Sequence, residues 1–295
     1  MNESKALRLI RKFTARERRL FRNFLPLSSA DKEGRLLSLW DYLASFAPHY
    51  KAPALSREEV YAVIWGREKV FDDKEFRYLL ADLTHACEEF LSWLEWKKDR
   101  PAQGRYLLRA LDQRQLESDF HRKSTELRPQ ADYSPLDTLL FYQTLHDTSS
   151  HSGGREADTP THEAMKALDT FYLLHKLRYA CAWVSRANVF REQTDIHLIE
   201  AVCAEARTDL YQTHTLIQLY LAGLQILLDP SDVPSFTRLR HLLEESGQQI
   251  PEAEQRNLYF LLLNVCIKRL NQGESEAGTA IFEIYGSLLS RELLL

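Results

Sequence analysis

Apolar residues recur at three- and four-residue spacing along most of the chain, the period of helices that turn one face to a core. The plainest stretch is Asp73 to Lys98, where Phe76, Leu79, Leu80, Leu83, Cys87, Phe90, Leu91 and Leu94 share one side. Before it, the pattern predicts helices over Glu3 to Phe13, from Thr14 to Pro26, over Asp31 to Ala47, and from Ser56 to about Gly66. Thr14-Ala-Arg-Glu17 and Ser56-Arg-Glu-Glu59 both have the form of a capping box, in which a hydroxyl and a carboxylate three residues apart satisfy free backbone donors. After it, helices are predicted over Tyr106 to Leu127 and Leu136 to Thr148, then over Thr161 to Val189, Asp195 to Tyr211, Thr213 to Leu228, Val233 to Ser246, Pro251 to Asn271 and Glu274 to Leu289. Asp229-Pro230, Gly247 with Pro251, and Asn271-Gln-Gly273 are the stop signals between the last four.

The segment from Thr148 to Pro160, Thr-Ser-Ser-His-Ser-Gly-Gly-Arg-Glu-Ala-Asp-Thr-Pro, breaks the pattern with small and polar residues and predicts a flexible loop and domain boundary. The organisation read from the sequence is therefore a helical domain over residues 1–148, a loop over 149–160, and a helical-repeat domain over 161–295. From Thr213 to Pro251 is 38 residues for one helix pair, inside the 34 to 47 typical of helix-pair repeats. Ten glycines and ten prolines in 295 residues leave long uninterrupted segments, which disfavours a sandwich or barrel. The fold class predicted is all-α, a helical bundle followed by irregular α-α hairpin repeats.

In the repeat region, Asn257-Leu-Tyr-Phe-Leu-Leu-Leu-Asn-Val-Cys-Ile-Lys-Arg-Leu-Asn-Gln-Gly273 followed by Glu276-Ala-Gly-Thr-Ala-Ile-Phe-Glu-Ile-Tyr285 resembles a tetratricopeptide repeat. Ala277, Gly278 and Ala280 stand where that family places small residues in its second helix, with Phe282 and Tyr285 after them; its Trp-Leu-Gly-Tyr signature is not matched. The resemblance implies a solenoid that binds a protein or peptide. Tyr211, Tyr220 and Tyr259 are candidate anchors for such a partner. The chain stops on an apolar helix, where a helical array ordinarily ends in a polar cap. Ile281, Phe282, Ile284, Leu288 and Leu289 are thus expected to form an apolar strip, covered by self-association or by a continuation of a longer protein.

A net charge of −4 gives no global attraction to nucleic acid, so local charge decides. Lys5, Arg8, Arg11, Lys12, Arg16, Arg18, Arg19 and Arg22 face only Glu3 and Glu17 in the first 25 residues. Such a face can neutralise phosphates or an acidic partner. Leu55-Ser-Arg-Glu-Glu-Val-Tyr-Ala-Val-Ile-Trp-Gly66 with Asp73-Lys-Glu-Phe-Arg-Tyr-Leu-Leu-Ala-Asp-Leu83 resembles the helix-turn-helix of winged-helix regulators that precede tetratricopeptide-like domains in bacterial transcriptional activators. That resemblance implies a recognition helix beginning at Asp73, which the pattern continues to Lys98, and a β-hairpin wing, for which Trp93 to Leu108 with a turn at Asp99-Arg-Pro-Ala-Gln-Gly104 is the available stretch. Asp72, Asp73, Glu75, Asp82, Glu88, Glu89 and Glu95 against Lys74, Arg77, Lys97 and Lys98 give the recognition helix a field that opposes phosphate.

Catalytic signatures are missing from the sequence: it holds no GxxxxGK, GxSxG, HExxH or EF-hand pattern. Asp82, His85 and Glu89 share a helical face at metal-ligand spacing, but no second acidic-His motif supplies further ligands. Cys87, Cys181, Cys203 and Cys266 lie far apart in apolar stretches, as packing thiols of a reducing compartment do. The first residues lack a secretory core, and the apolar runs 216–228 and 258–267 fall short of the roughly 20 residues that span a bilayer. The function predicted is a cytoplasmic, non-enzymatic scaffold for a protein or peptide partner, without cofactor or metal; the alternative is a DNA-binding regulator.

Overall fold

The structure is a computed structural model that describes residues 4–28, 30, 34–50, 55–129, 134–149, 158–190, 195–246 and 250–293. Among these residues it is all-helical, with fifteen α-helices and no strand, and no helix is long and apolar enough to cross a membrane. The chain divides into two compact units, residues 1–103 and 104–295, each with its own core.

Unit 1 is built from α1 (Lys5–Ile10), α2 (Ala15–Phe24), a single 3-10 turn (Leu25–Leu27), α3 (Arg35–Ala44), α4 (Arg57–Trp65) and α5 (Asp73–Lys98). Polar caps open four of these helices. Ser4 Oγ accepts from the Leu7 N–H, Ser56 Oγ from the Glu59 N–H, and the Asp72 carboxylate from the N–H groups of Lys74 and Glu75. At α2 both halves of the capping box form, Glu17 N–H to Thr14 Oγ1 at 3.2 Å and Thr14 N–H to Glu17 Oε2 at 2.7 Å. Thr14→Ala is expected to lower stability by about 1 kcal/mol, read from the denaturant midpoint. The bond from the Thr14 N–H holds the Glu17 carboxyl below its ordinary value. What Glu17 contributes is therefore present above the unfolded carboxylate pKa and is lost as pH falls through the lower, folded one.

Helix α5 is the spine of unit 1, with α1, α2 and α3 packed along it and α4 on α3. Phe21 meets Trp40 edge-on at 4.9 Å and Phe90 at 5.1 Å, while Phe13 lies 5.4 Å from both Phe21 and Phe90. Buried rings of this kind contribute roughly 1.5–3 kcal/mol each by leaving water, and more from ring geometry.

Unit 2 holds most of α6 (Arg100–Gln113), then α7 (Glu117–Glu126), α8 (Pro135–Ser149), α9 (Asp158–Phe190), α10 (Ile199–Ala206), α11 (Asp209–Gln212), α12 (Thr215–Leu228), α13 (Val233–Ser246), α14 (Glu252–Asn271) and α15 (Glu276–Ser290). The single helix expected over Tyr106 to Leu127 is two, because Gln115 takes a left-handed conformation (φ 55°) and the Leu116 N–H turns back to the Leu111 carbonyl. Asp99-Arg-Pro-Ala-Gln-Gly104 is no hairpin turn. Asp99 Oδ1 accepts from the Ala102 N–H, and Pro101, which has no donor to lose, sits in the first turn of α6. The segment expected over Asp195 to Tyr211 divides at Arg207 and Thr208 into α10 and α11.

The polar segment expected to mark a domain boundary instead joins α8 to α9, which pack on each other, with His146 Nδ1 2.9 Å from Thr161 Oγ1. Residues 150–157 of that segment lie outside the described ones, as do the predicted helix ends at Glu3 and Asp31.

Three helices of unit 2, α9, α12 and α14, run parallel and pack on one another pairwise. Cys181 Sγ on α9 reaches the Tyr220 carbonyl on α12, and Asn188 Nδ2 reaches the Leu227 carbonyl, each across 39 residues of sequence. From α12 to α14 the facing pair is Gly223 and Leu261, 38 residues apart. Asn264 on α14 donates to Ser185 on α9 at 3.3 Å. Helix α12, between its neighbours, is buried on nearly every side. Helices α13 and α15 pack back on α12 and α14, and Arg240 and Glu283 pair between them at 3.0 Å.

Candidate interaction surfaces

The eight basic residues on α1, on α2 and in the turn between them do not act as one face. Lys5 pairs with Glu88 at 2.6 Å, and Arg22 forks onto Asp41 at 2.7 and 2.9 Å. Arg18 donates to the Phe13 carbonyl at 2.8 Å, and Arg11, half-buried, to the Tyr50 carbonyl. These four cations are engaged in holding unit 1. Arg8, Lys12, Arg16 and Arg19 are exposed and form no ion pair with a described residue. The cationic surface open to a ligand is thus half of the sequence-predicted set.

The helix-turn-helix candidate is α4 followed by α5, both packed on α3. Its acids are largely engaged. Asp73 pairs with Arg57 and Arg77, and Glu75 accepts from both Lys69 Nζ and Tyr61 Oη at 2.6 Å. Those two donors hold the Glu75 carboxyl below its ordinary value, Lys69 first. The stretch Trp93 to Leu108, where the resemblance implies a wing, is helical on either side of Asp99.

On α15 the predicted apolar strip splits between two sides. Ile284 and Leu288 point into the core, and Ile281 packs partly against it. Phe282, 82% exposed, and Leu289 face outward, joined there by Tyr285. Tyr211, Tyr220 and Tyr259 are buried and present no ring to a partner, because α12, α14 and the turn before α12 direct those faces to the core. Tyr220 Oη donates to Glu254, which also takes Arg178 of α9 at 3.1 Å.

The chemistry of the thiols is quiet. Burial pushes Cys87 up to about 12 and also raises Cys181, Cys203 and Cys266, so all four carry their proton at neutral pH. His85 pairs with Glu89 at 3.4 Å, and the Glu89 carboxylate also accepts from Ser28, while Asp82 is exposed. Among the described residues no group of three His, Cys, Asp or Glu is placed to hold a metal.

Two structural residues gave no sequence signal of their role. The Gln218 amide, buried on α12, donates to the carbonyls of Ala206 and Tyr211 at 2.8 and 2.9 Å and accepts from Arg238 at 2.7 Å, tying α10, α11 and α13 to α12. Gly223 lies where α9, α12 and α14 come closest: a Cβ there would stand 3.1 Å from Leu261 Cδ1 and 3.7 Å from Cys181 Sγ.

Helix α9 carries a surface that the sequence pattern did not separate. Leu173, Leu174, Leu177, Cys181 and Val184 are buried on one side, and on the other Met165, Leu168, Tyr172, Tyr179, Trp183 and Phe190 are each between 42% and 65% exposed. In comparisons with known proteins, no family model, no curated protein and no solved structure matches the chain.

Proposed function

We propose that the chain is a cytoplasmic, non-enzymatic scaffold whose second unit binds a protein partner on stacked helix pairs of the tetratricopeptide-like kind. The observation that carries this reading is the similar offset between the parallel helices, 39 residues from α9 to α12 and 38 from α12 to α14, with α13 packed on α12 and α15 on α14. Such an array binds through shape and exposed side chains, without a cofactor. The outward face of α15, with Phe282, Tyr285 and Leu289, offers apolar anchors of the type that dominate interface energies.

The test is affinity capture with the full chain against the variant Phe282→Asp with Leu289→Asp, quantified by mass spectrometry. A protein enriched by the wild type and lost from an equally stable variant is the expected result. Identical capture by the two would remove α15 from the reading.

A DNA-binding regulator is the second reading, favoured by one observation: Arg8, Lys12, Arg16 and Arg19 stand exposed without ion pairs to described residues, in the same unit as the α3–α4–α5 helices. Affinity for duplex DNA, followed over a salt series, distinguishes the two. A regulator using all four cations loses about three to four from its log-log salt slope when they are changed to Ala. A scaffold shows no steep slope in either form.

A further inference from the structure

From the exposed side of α9 we infer that two copies of this chain associate through that helix, antiparallel and about a two-fold axis. This interface is separate from the α15 face. At about 100° per residue the six exposed side chains Met165, Leu168, Tyr172, Tyr179, Trp183 and Phe190 fall within an arc of about 60°. They run for about 37 Å, at 1.5 Å per residue. A helix that is apolar on both sides is one with neighbours on both sides. Within unit 2, α8, α10, α12 and α14 pack on α9 and leave this stripe exposed.

The area fits a dimer. Large side chains present about 150–250 Å² each, so at the observed exposures the six offer roughly 500–800 Å². That exceeds or matches the largest apolar patch of an ordinary monomer, about 300–600 Å², and approaches the roughly 800 Å² that each partner contributes to a stable interface.

The order of residues selects the occupant. Met165, Tyr172, Trp183 and Phe190 are separated by 7, 11 and 7 residues, a spacing that reads the same in both directions. Two antiparallel copies centred between Leu177 and Arg178 therefore bring Met165 of each level with Phe190 of the other, and Tyr172 level with Trp183. The same register sets Lys176 beside the other copy's Tyr179 ring, a cation–π arrangement, and Asp169 at the height of its Arg186. Asp169, Lys176 and Arg186 flank the stripe, carry both signs, and form no ion pair with a described residue. A rim of mixed sign suits a copy of itself, as an isologous contact requires. An anionic membrane or a strongly charged partner calls for a rim of one sign.

The full chain at micromolar concentration in sedimentation equilibrium is expected to be a dimer, and the variant Tyr172→Glu with Trp183→Glu a monomer with the same helical content, whose melting temperature no longer rises with protein concentration. Phe282→Asp with Leu289→Asp should stay dimeric, which separates this contact from the α15 reading. Orientation is read by oxidising a mixture of Met165→Cys and Phe190→Cys chains: the two cross-link to each other, and Met165→Cys alone does not cross-link. A monomeric wild type, a dimer that survives Tyr172→Glu with Trp183→Glu, or cross-linking of Met165→Cys to itself overturns the proposal.

Discussion

Gly223→Leu is expected to destabilise unit 2 by about 1–3 kcal/mol, and by more if α9 and α14 cannot move apart. The first added carbon already stands 3.1 Å from Leu261 Cδ1 and 3.7 Å from Cys181 Sγ, and three further carbons must enter the buried junction of α9, α12 and α14. Gly223→Ala sets the comparison. Its single methyl asks Leu261 to shift by a few tenths of an ångström, while the helix gains up to about 1 kcal/mol from losing glycine's freedom. The alanine variant should therefore lie near the wild type, and the leucine variant well below it, in urea unfolding followed by circular dichroism. A leucine variant as stable as the wild type would mean that α12 is not held between α9 and α14 as described.

Phe90→Ala is expected to cost about 3–5 kcal/mol, the range for deleting a buried ring from a packed core. Phe90 is fully buried at the centre of unit 1, with Phe13, Phe21, Phe24 and Trp93 at centroid distances of 5.4, 5.1, 5.5 and 6.0 Å. Four rings lose a face when it is removed. Because Phe21 touches Phe90, the double variant with Phe21→Ala should depart from additivity by about 0.5–3 kcal/mol. Phe282→Ala, on a side chain 82% exposed, should change stability by no more than about 0.5 kcal/mol. A Phe90→Ala midpoint indistinguishable from that of Phe282→Ala would contradict the described core.

The helices themselves were legible where a polar cap met a one-sided apolar pattern. Helix α5 begins and ends where its spacing predicts, from Asp73 to Lys98, and the Thr14–Glu17 box forms as written. The break at Gln115 and the start of α10 only after Leu198 were not legible, because a left-handed residue that is neither Gly nor Asn leaves no compositional mark. Gly104 misled in the opposite sense. It reads as a turn residue, but it lies inside α6 where a Cβ would stand 3.0 Å from Leu127, so close packing explains it and chain reversal does not.

Surfaces were less legible than helices. A basic run gives the sign of a face, but whether Arg22 meets Asp41 or solvent depends on which helix folds beside it. Ile281, Phe282, Ile284, Leu288 and Leu289 read as one strip because all are apolar; only the partner helix α14 decides that Ile284 and Leu288 are core and Phe282 and Leu289 are not. On α9 the apolar residues surround the helix, so no period marks the exposed side, and the stripe emerges only when the neighbours take the other.

Four of the five tryptophans, Trp40, Trp65, Trp93 and Trp96, belong to unit 1, and unit 2 has Trp183 alone. With phenylalanine at the other four positions, indole emission would come from a single half-exposed ring on α9. Its wavelength would then follow the wetness of that helix directly, shifting to the blue as protein concentration rises and to the red when unit 2 unfolds.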